Sequence, residues 1–156
     1  AFGCPYDGEV GEEAVVAVAA RLAEIGCAEI AVADTIGVAD PWTARTRLEA
    51  VRAAAGETPL RVHFHDTRNT GIANTFAAVD AGVGAVDASV GGIGGCPFAP
   101  NATGNIATDD LVFMLERAGR STGLDLERLI ATAQWVGEAL GISPPSALLR
   151  AGDFPV

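Results

Sequence analysis

The chain has 156 residues, 49% of them hydrophobic, which suits one domain with a packed core. Twenty acidic residues against ten basic ones give a formal net charge of -10, which argues against nucleic acid as a partner. No apolar stretch reaches the roughly 18 residues of a membrane span, so we expect neither a membrane contact nor a targeting leader. Three cysteines without a CxxC motif indicate reduced thiols and a cytoplasmic protein.

The first half of the chain alternates between predicted helices and a strand. Helical periodicity over residues 12–25 gives one apolar face, formed by Val15, Val18, Leu22 and Ile25. A short apolar strand follows over residues 28–35. The next helix is predicted to end near Ala55, with Asp40 as its N-cap and Pro41 as its first residue. The opening segment, AFGCPYDG, is typical of a loop that leaves a strand.

The second half continues the alternation. A strand is predicted over residues 60–65, a helix over 70–81 and a third strand over 84–90. After a glycine-rich loop, Thr108 is predicted to cap a helix that ends at Arg117, and a last helix covers residues 125–140. This order predicts an α/β fold with a parallel sheet, either a doubly wound sheet or a TIM barrel. Dinucleotide binding is disfavoured because no GxGxxG motif follows the first strand.

Both histidines of the chain lie in one short motif, VHFHDTRNTGIANT, at residues 62–75. Because side chains alternate along a strand, His63 and His65 share one face and the apolar residues share the other. Active sites of α/β proteins gather at the carboxyl ends of strands, and two imidazoles there can bind one divalent cation. Structural histidines at a strand end are the alternative. Asp66 could accept a hydrogen bond from a metal-bound histidine and so orient its ring.

The segment GGIGGCPFAPNATGN, residues 91–105, predicts a loop able to approach a ligand closely. Cys96 in its middle is either a reactive thiol or an inert one. Asn105 offers an oxygen ligand, and oxygen together with imidazole suits Mg²⁺ or Mn²⁺. Asp34, at the end of the first strand, is either a catalytic acid or a cap for the following loop.

Four segments resemble the 3-hydroxy-3-methylglutaryl-CoA lyases, within the metal-dependent TIM-barrel lyases and Claisen-type synthases. They are GCPYDG (3–8), EIAVADTIGV (29–38), VHFHDTRNTGIANT (62–75) and GGIGGCPFAPNATGNIATDDLVFMLE (91–116). The resemblance implies a (β/α)₈ barrel that cleaves a 3-hydroxy-3-methylglutaryl thioester to acetoacetate and acetyl-CoA. It also implies a divalent cation, Mg²⁺ or Mn²⁺, and an acyl-CoA substrate.

Site residues follow from the same resemblance. His63, His65 and Asn105 match metal ligands, and His63 also matches a proton-transfer residue. Cys96 matches a catalytic cysteine on a mobile loop, and Asp34 matches an acid of the active site. The chain departs from the family in one respect: the Arg-Asp motif on the first barrel strand, which supplies a further metal ligand, has no counterpart here.

The resemblance therefore implies that residues 1–156 are the C-terminal half of a barrel, with about strands six to eight. We expect such a half to have little activity alone and to form a homo-oligomer or bind a missing N-terminal half. A Claisen-type acyl-CoA synthase and a non-catalytic half-barrel are the alternative functions; the Gly-Cys-Pro loop favours the lyase.

Overall fold

The computed structural model describes residues 1–95 and 104–154. The chain divides into two compact units, whose described parts are residues 1–87 and residues 88–95 with 104–154. Within these described ranges, no helix is long and apolar enough to cross a membrane.

The first unit is a three-stranded parallel sheet with helices between the strands. Its strands are β3 (Ile30–Asp34), β4 (Leu60–Phe64) and β5 (Ala85–Asp87), adjacent in chain order, and its helices are α1 (Glu12–Glu24), α2 (Pro41–Ala55) and α3 (Gly71–Asp80). A short antiparallel hairpin, β1 (Gly3–Cys4) and β2 (Gly8–Glu9), precedes them where we predicted a loop. Because α2 contacts both α1 and α3, the helices form one layer. The predicted α/β class with a parallel sheet is confirmed.

Strand β4 has the two faces that its sequence predicts. Leu60, Val62 and Phe64 are fully buried, whereas Arg61 and His63 between them are half-buried. The apolar face belongs to the buried core of this unit, as do Leu48 and Val51 of α2. The face of β4 that carries the histidines is therefore the face available for binding or catalysis.

The start of α2 is also as predicted. The Asp40 side chain accepts hydrogen bonds from the backbone N–H groups of Trp42 and Thr43 at 2.9 and 3.0 Å, and Pro41 is the first helical residue. The apolar face of α1 is only partly covered: Val18 is 60% and Ile25 is 71% exposed. Periodicity predicted the helix correctly, but part of its apolar face has no cover within the described residues.

The second unit is helical. A 3₁₀ turn (Val90–Gly92) is followed by α4 (Thr108–Arg117), α5 (Leu126–Leu140) and α6 (Leu148–Ala151). The prediction of Thr108 as a cap is wrong, because Ala107 holds the N-cap position and Thr108 is the first helical residue. The Thr108 N–H donates instead to the Ser89 carbonyl at 2.8 Å, next to a parallel bridge between Ser89 and Ala107. This bridge keeps Ala107 extended and so sets where α4 begins.

Two acidic side chains in the first turn of α4 accept hydrogen bonds from groups distant in the sequence. Asp109 is fully buried; it accepts a hydrogen bond from the Gly91 N–H at 2.9 Å and another from the Ser146 hydroxyl. Asp110 accepts from the N–H groups of Ala147 and Leu148, both at 2.9 Å. The two carboxylates therefore join the 3₁₀ turn, at the start of the glycine-rich segment, to the start of α6.

A glycine in the last turn of α5 allows the chain to fold back against this helix. A Cβ atom on Gly137 would lie 2.7 Å from Pro144 Cδ and 3.1 Å from the carbonyl oxygen of Ile142. Pro144 also lies against Gly91, where a Cβ would come within 2.9 Å of Pro144 Cβ. Both positions therefore require glycine because Pro144 packs directly on the backbone.

Candidate metal and proton-transfer site

The two histidines lie side by side at the carboxyl end of β4. Their ring centroids are 5.2 Å apart and the ring planes are inclined by 53°. His63 pairs in register with Ala33 of β3 and Asp87 of β5, so it occupies the middle of the sheet. The geometry places both imidazoles on the face opposite the apolar side chains of β4, as the alternation predicted.

His65 is a buried imidazole with a free nitrogen. It is only 4% exposed, and its Nδ1 atom has no hydrogen-bond partner among the described residues. Burial lowers the pKa of His65 because it removes water from the charged form; the adjacent His63 lowers the pKa further, and the Asp34 carboxylate partly offsets both effects. His65 is therefore held neutral, which is the form that donates a lone pair to a metal.

His63 belongs to a row of ionisable side chains across the sheet. Its Nδ1 atom lies 3.4 Å from Asp87 Oδ2, and Arg61 Nη1 donates to Asp87 Oδ1 at 3.1 Å. Arg61 Nε lies 2.9 Å from Glu29 Oε2. That last contact is an ion pair and not a hydrogen bond, because the Arg61 Nε–H is not directed at a partner. Sequence reasoning missed Asp87: the sequence placed it on the third predicted strand but did not give the register that sets it beside His63.

Asp34 fastens the loop that follows β3. The side chain is 1% exposed; Oδ1 accepts from the Val38 N–H at 3.1 Å and Oδ2 from the Ala39 N–H at 2.8 Å. This is the capping role that the sequence offered as one alternative. Because the carboxylate also acts electrostatically on His65, it is close enough to influence that imidazole.

The loops after β3 and β4 are tied to each other. Arg68 Nη1 donates to the carbonyl oxygens of Ile36 at 2.8 Å and Gly37 at 3.1 Å. Asp66, directly after the histidine pair, accepts from the Gly71 N–H at 2.7 Å and so starts α3. These bonds fix the backbone that follows His65 and give Asp66 a structural role besides any support for a histidine.

Asn105 belongs to the second unit. Its Nδ2 atom donates to the Ile93 carbonyl at 3.0 Å, which orients the amide, and its buried Oδ1 atom has no hydrogen-bond partner within residues 1–95 and 104–154. Cys96, the predicted catalytic thiol, lies outside the described residues.

The donor atoms fit a divalent cation. A buried imidazole nitrogen and a buried amide oxygen without partners are costly in a folded protein unless something binds them. Imidazole together with oxygen is a set that Mn²⁺ or Mg²⁺ accepts. Among residues 1–95 and 104–154, no group of three or more His, Cys, Asp and Glu side chains could hold a metal.

The chain is similar to known proteins in both sequence and structure. The HMGL-like family profile matches residues 1–136. An (R)-citramalyl-CoA lyase from Chloroflexus aurantiacus is 45% identical over 97% of this chain and 48% of its own length. A hydroxymethylglutaryl-CoA lyase from Bacillus subtilis is 43% identical over 96% of this chain and 50% of its own. The solved structure of an HMG-CoA lyase from Acinetobacter baumannii, in complex with coenzyme A and 3-methylmalate, matches with a TM-score of 0.93 at 39% identity, over 99% of this chain and 52% of that one.

These similarities confirm the resemblance drawn from the four segments. They also decide between the two α/β architectures: the sheet and its helices are part of a (β/α)₈ barrel. The chain spans about half the length of the curated relatives it matches. The chain belongs to the HMGL-like family.

Proposed function

We propose that the protein carrying this chain is a divalent-metal-dependent carbon–carbon lyase that cleaves 3-hydroxy-3-methylglutaryl-CoA, or a similar 3-hydroxyacyl-CoA, to acetoacetate and acetyl-CoA or the corresponding products. The observation that carries the proposal is the histidine pair at the end of β4, with a buried and unpartnered nitrogen on His65, in a chain of the HMGL-like family. Relatives named as lyases support the reaction class.

In this proposal, His65 and Asn105 hold the cation, which is Mg²⁺ or Mn²⁺, and His63 is a further ligand only until its free ring nitrogen accepts a proton. The donor types are suited to these metals, and the unpartnered Asn105 oxygen supports its role as a ligand. When bound, the cation would lower the pKa of the substrate's tertiary hydroxyl and hold that oxygen in place.

The protein residues then move the protons. His63 accepts the hydroxyl proton while the bond between C2 and C3 breaks, so that the hydroxyl oxygen becomes the ketone of the departing acid. The bond electrons pass to the thioester enolate, and the Cys96 thiol gives the enolate carbon its proton to form acetyl-CoA. The proton held by His63 returns to the sulfur, which balances the reaction. Asp34 contributes a negative charge near His65 that favours a positive charge at this end of the sheet.

We propose further that residues 1–156 are one part of a barrel domain, with residues 91–105 as its catalytic loop, and that activity needs the rest of the barrel. The exposed apolar residues Val18 and Ile25 on α1 support this, since a neighbouring helix of a complete barrel would cover them. That cover could come from an N-terminal half or from a second copy. A cytoplasmic location is part of the proposal and is supported by three cysteines without a paired motif.

The test is a direct assay of thioester cleavage by the full-length product of the gene, with Mg²⁺ or Mn²⁺ present. Both 3-hydroxy-3-methylglutaryl-CoA and (R)-citramalyl-CoA should be supplied, because relatives carry both names. Acetyl-CoA release is followed by mass spectrometry, and chelation of the metal should stop it. Failure to cleave either thioester would contradict the proposal, and joining of acetyl-CoA to a 2-oxo acid would favour a Claisen-type synthase.

The substitution Cys96→Ser should lower kcat more than tenfold, because a serine hydroxyl is a far weaker acid than a thiol and transfers its proton less readily. Affinity for Mn²⁺ should stay nearly unchanged, since oxygen and nitrogen are the expected ligands. Cys27→Ser is the matched control, as Cys27 is a free thiol elsewhere in the chain. The measurement is steady-state kinetics beside a metal titration; an unchanged kcat would leave Cys96 without a role in proton transfer.

A further inference from the structure

Asp87 has no place in the roles proposed so far, yet it is the acidic side chain beside His63. The two residues are paired in register on neighbouring parallel strands, so their side chains stand next to each other on one face of the sheet. His63 Nδ1 lies 3.4 Å from Asp87 Oδ2, an electrostatic contact slightly longer than an ordinary N–H···O hydrogen bond. The contact uses one of the two ring nitrogens and leaves Nε2 for a ligand or a proton.

We infer that Asp87 is a positioning residue that fixes His63 in the tautomer with a proton on Nδ1 and none on Nε2. A carboxylate accepts hydrogen bonds and cannot donate them, so a neutral His63 facing Asp87 must carry its proton on Nδ1. Each role proposed for His63 needs an unprotonated Nε2, because its one free lone pair can bind the metal or accept the proton, but not both at once. The inference depends on the proposed function in one respect only, which is the identity of the group that Nε2 binds.

Arg61 holds the carboxylate in the orientation that this requires. Its Nη1 donates to Asp87 Oδ1 at 3.1 Å and more weakly to Oδ2 at 3.4 Å. Arg61 also lies 2.9 Å from Glu29, so it is held between two acids across the sheet. The guanidinium turns one oxygen of Asp87 towards itself and leaves the other facing the imidazole.

Because Arg61 fixes the orientation of the side chain at position 87, Asp87→Asn should have a specific effect on the tautomer of His63. A guanidinium only donates hydrogen bonds, so the amide oxygen of an asparagine must face Arg61, and the amide NH₂ then faces His63 Nδ1. An NH₂ group is a donor and therefore favours the tautomer with Nδ1 bare and Nε2 protonated. Asp87→Asn should thus block Nε2, whereas Asp87→Ala would only leave the ring unconstrained.

The experiment measures the tautomer of His63 in the full polypeptide, without metal or substrate. Histidine-selective ¹⁵N labelling and long-range ¹H–¹⁵N spectra are used at a pH well above the usual imidazole pKa of about 6.5. Nδ1–H should dominate in the wild type and Nε2–H in Asp87→Asn, with Asp87→Ala between them. The matched control is Glu29→Gln, which removes an acid from the same row without touching His63; it should keep the wild-type tautomer.

Titration with Mn²⁺ gives the second measurement. Affinity should fall about ten- to hundredfold in Asp87→Asn, the usual loss when the partner of a metal-binding histidine is changed. It should fall less in Asp87→Ala. A purely structural role predicts the opposite order, because alanine removes more contacts than asparagine. Should Asp87→Asn not fold, Asp87→Ala must still shift the tautomer towards Nε2–H relative to Glu29→Gln.

A wild-type ring already protonated on Nε2, or a tautomer that is the same in all variants, would overturn the inference. Because no substrate is present, neither result depends on lyase activity. A protein that shows the expected tautomers but cleaves neither thioester would refute the proposed function and leave the role of Asp87 intact.

Discussion

His65→Ala should lower the affinity for Mn²⁺ by more than about a hundredfold and abolish metal-dependent cleavage. Changing only the outer partner of a metal ligand costs about ten- to hundredfold, so removal of the ligand itself should cost more. The buried, neutral imidazole with an unpartnered Nδ1 is the donor that alanine removes. The affinity is measured by calorimetric titration and the activity by acetyl-CoA release.

Two further measurements separate loss of the ligand from loss of the fold. The free energy of unfolding in urea should be reported for each variant, because His65 lies in a packed region. Glu49→Gln, on the exposed face of α2, is the control for cation binding to this acidic chain and should leave the affinity unchanged. Wild-type affinity in His65→Ala would remove this residue from the ligand set.

Gly137→Ala should destabilise the protein by about 1–3 kcal/mol, the usual cost of forcing extra atoms into a packed site. In an open helix the same change stabilises by up to about 1 kcal/mol, because alanine is the better helix former. The new methyl would lie 2.7 Å from Pro144 Cδ, so the clash reverses the expected sign. Urea unfolding followed by circular dichroism measures the difference.

The matched control is Gly84→Ala, where nothing lies within 4 Å of the added Cβ and φ is not positive. A double-mutant cycle with Pro144→Ala identifies the cause, because that change removes the ring atoms that would clash. The two substitutions together should cost less than the sum of their separate costs. Additive costs, or a stable Gly137→Ala protein, would show that the backbone at this position adjusts freely.

Local patterns in the sequence were sufficient for the three helices of the first unit and for the two faces of β4. Alternation over residues 60–65 predicted which side chains of β4 are buried, and Asp40 with Pro41 predicted the start of α2; both are confirmed. These signals succeed because each depends on residues within one or two turns of the chain.

Distant contacts explain the failures. Thr108 has a good capping side chain, but the bridge between Ser89 and Ala107 sets the start of α4. The third strand was predicted to reach residue 90 but ends at Asp87, ahead of a 3₁₀ turn in which Gly91 adopts a positive φ of 68°. The buried Asp109 bonds to Gly91 and Ser146, 18 and 37 residues away, and no local pattern predicts such partners.

In the candidate site too, local patterns predicted some features, whereas distant contacts determined others. His63 and His65 could be placed on one face from alternation alone, and the structure shows them there. Asp87 could not be paired with His63, because the register between two parallel strands depends on the packing of the helix that connects them. The roles of Cys96 and Asn105 came from family resemblance, and they stay predictions.

The burial of His65 makes the stability of the folded protein depend on pH. Its pKa in the folded protein lies below the value of about 6.5 expected in the unfolded chain, so the unfolded chain binds the proton more tightly. The contribution of this residue to folding is therefore fully present above about pH 6.5 and is lost as the pH falls through the lower, folded value. A cation on the same imidazole would compete with that proton, so acid would both release the metal and weaken the fold around it.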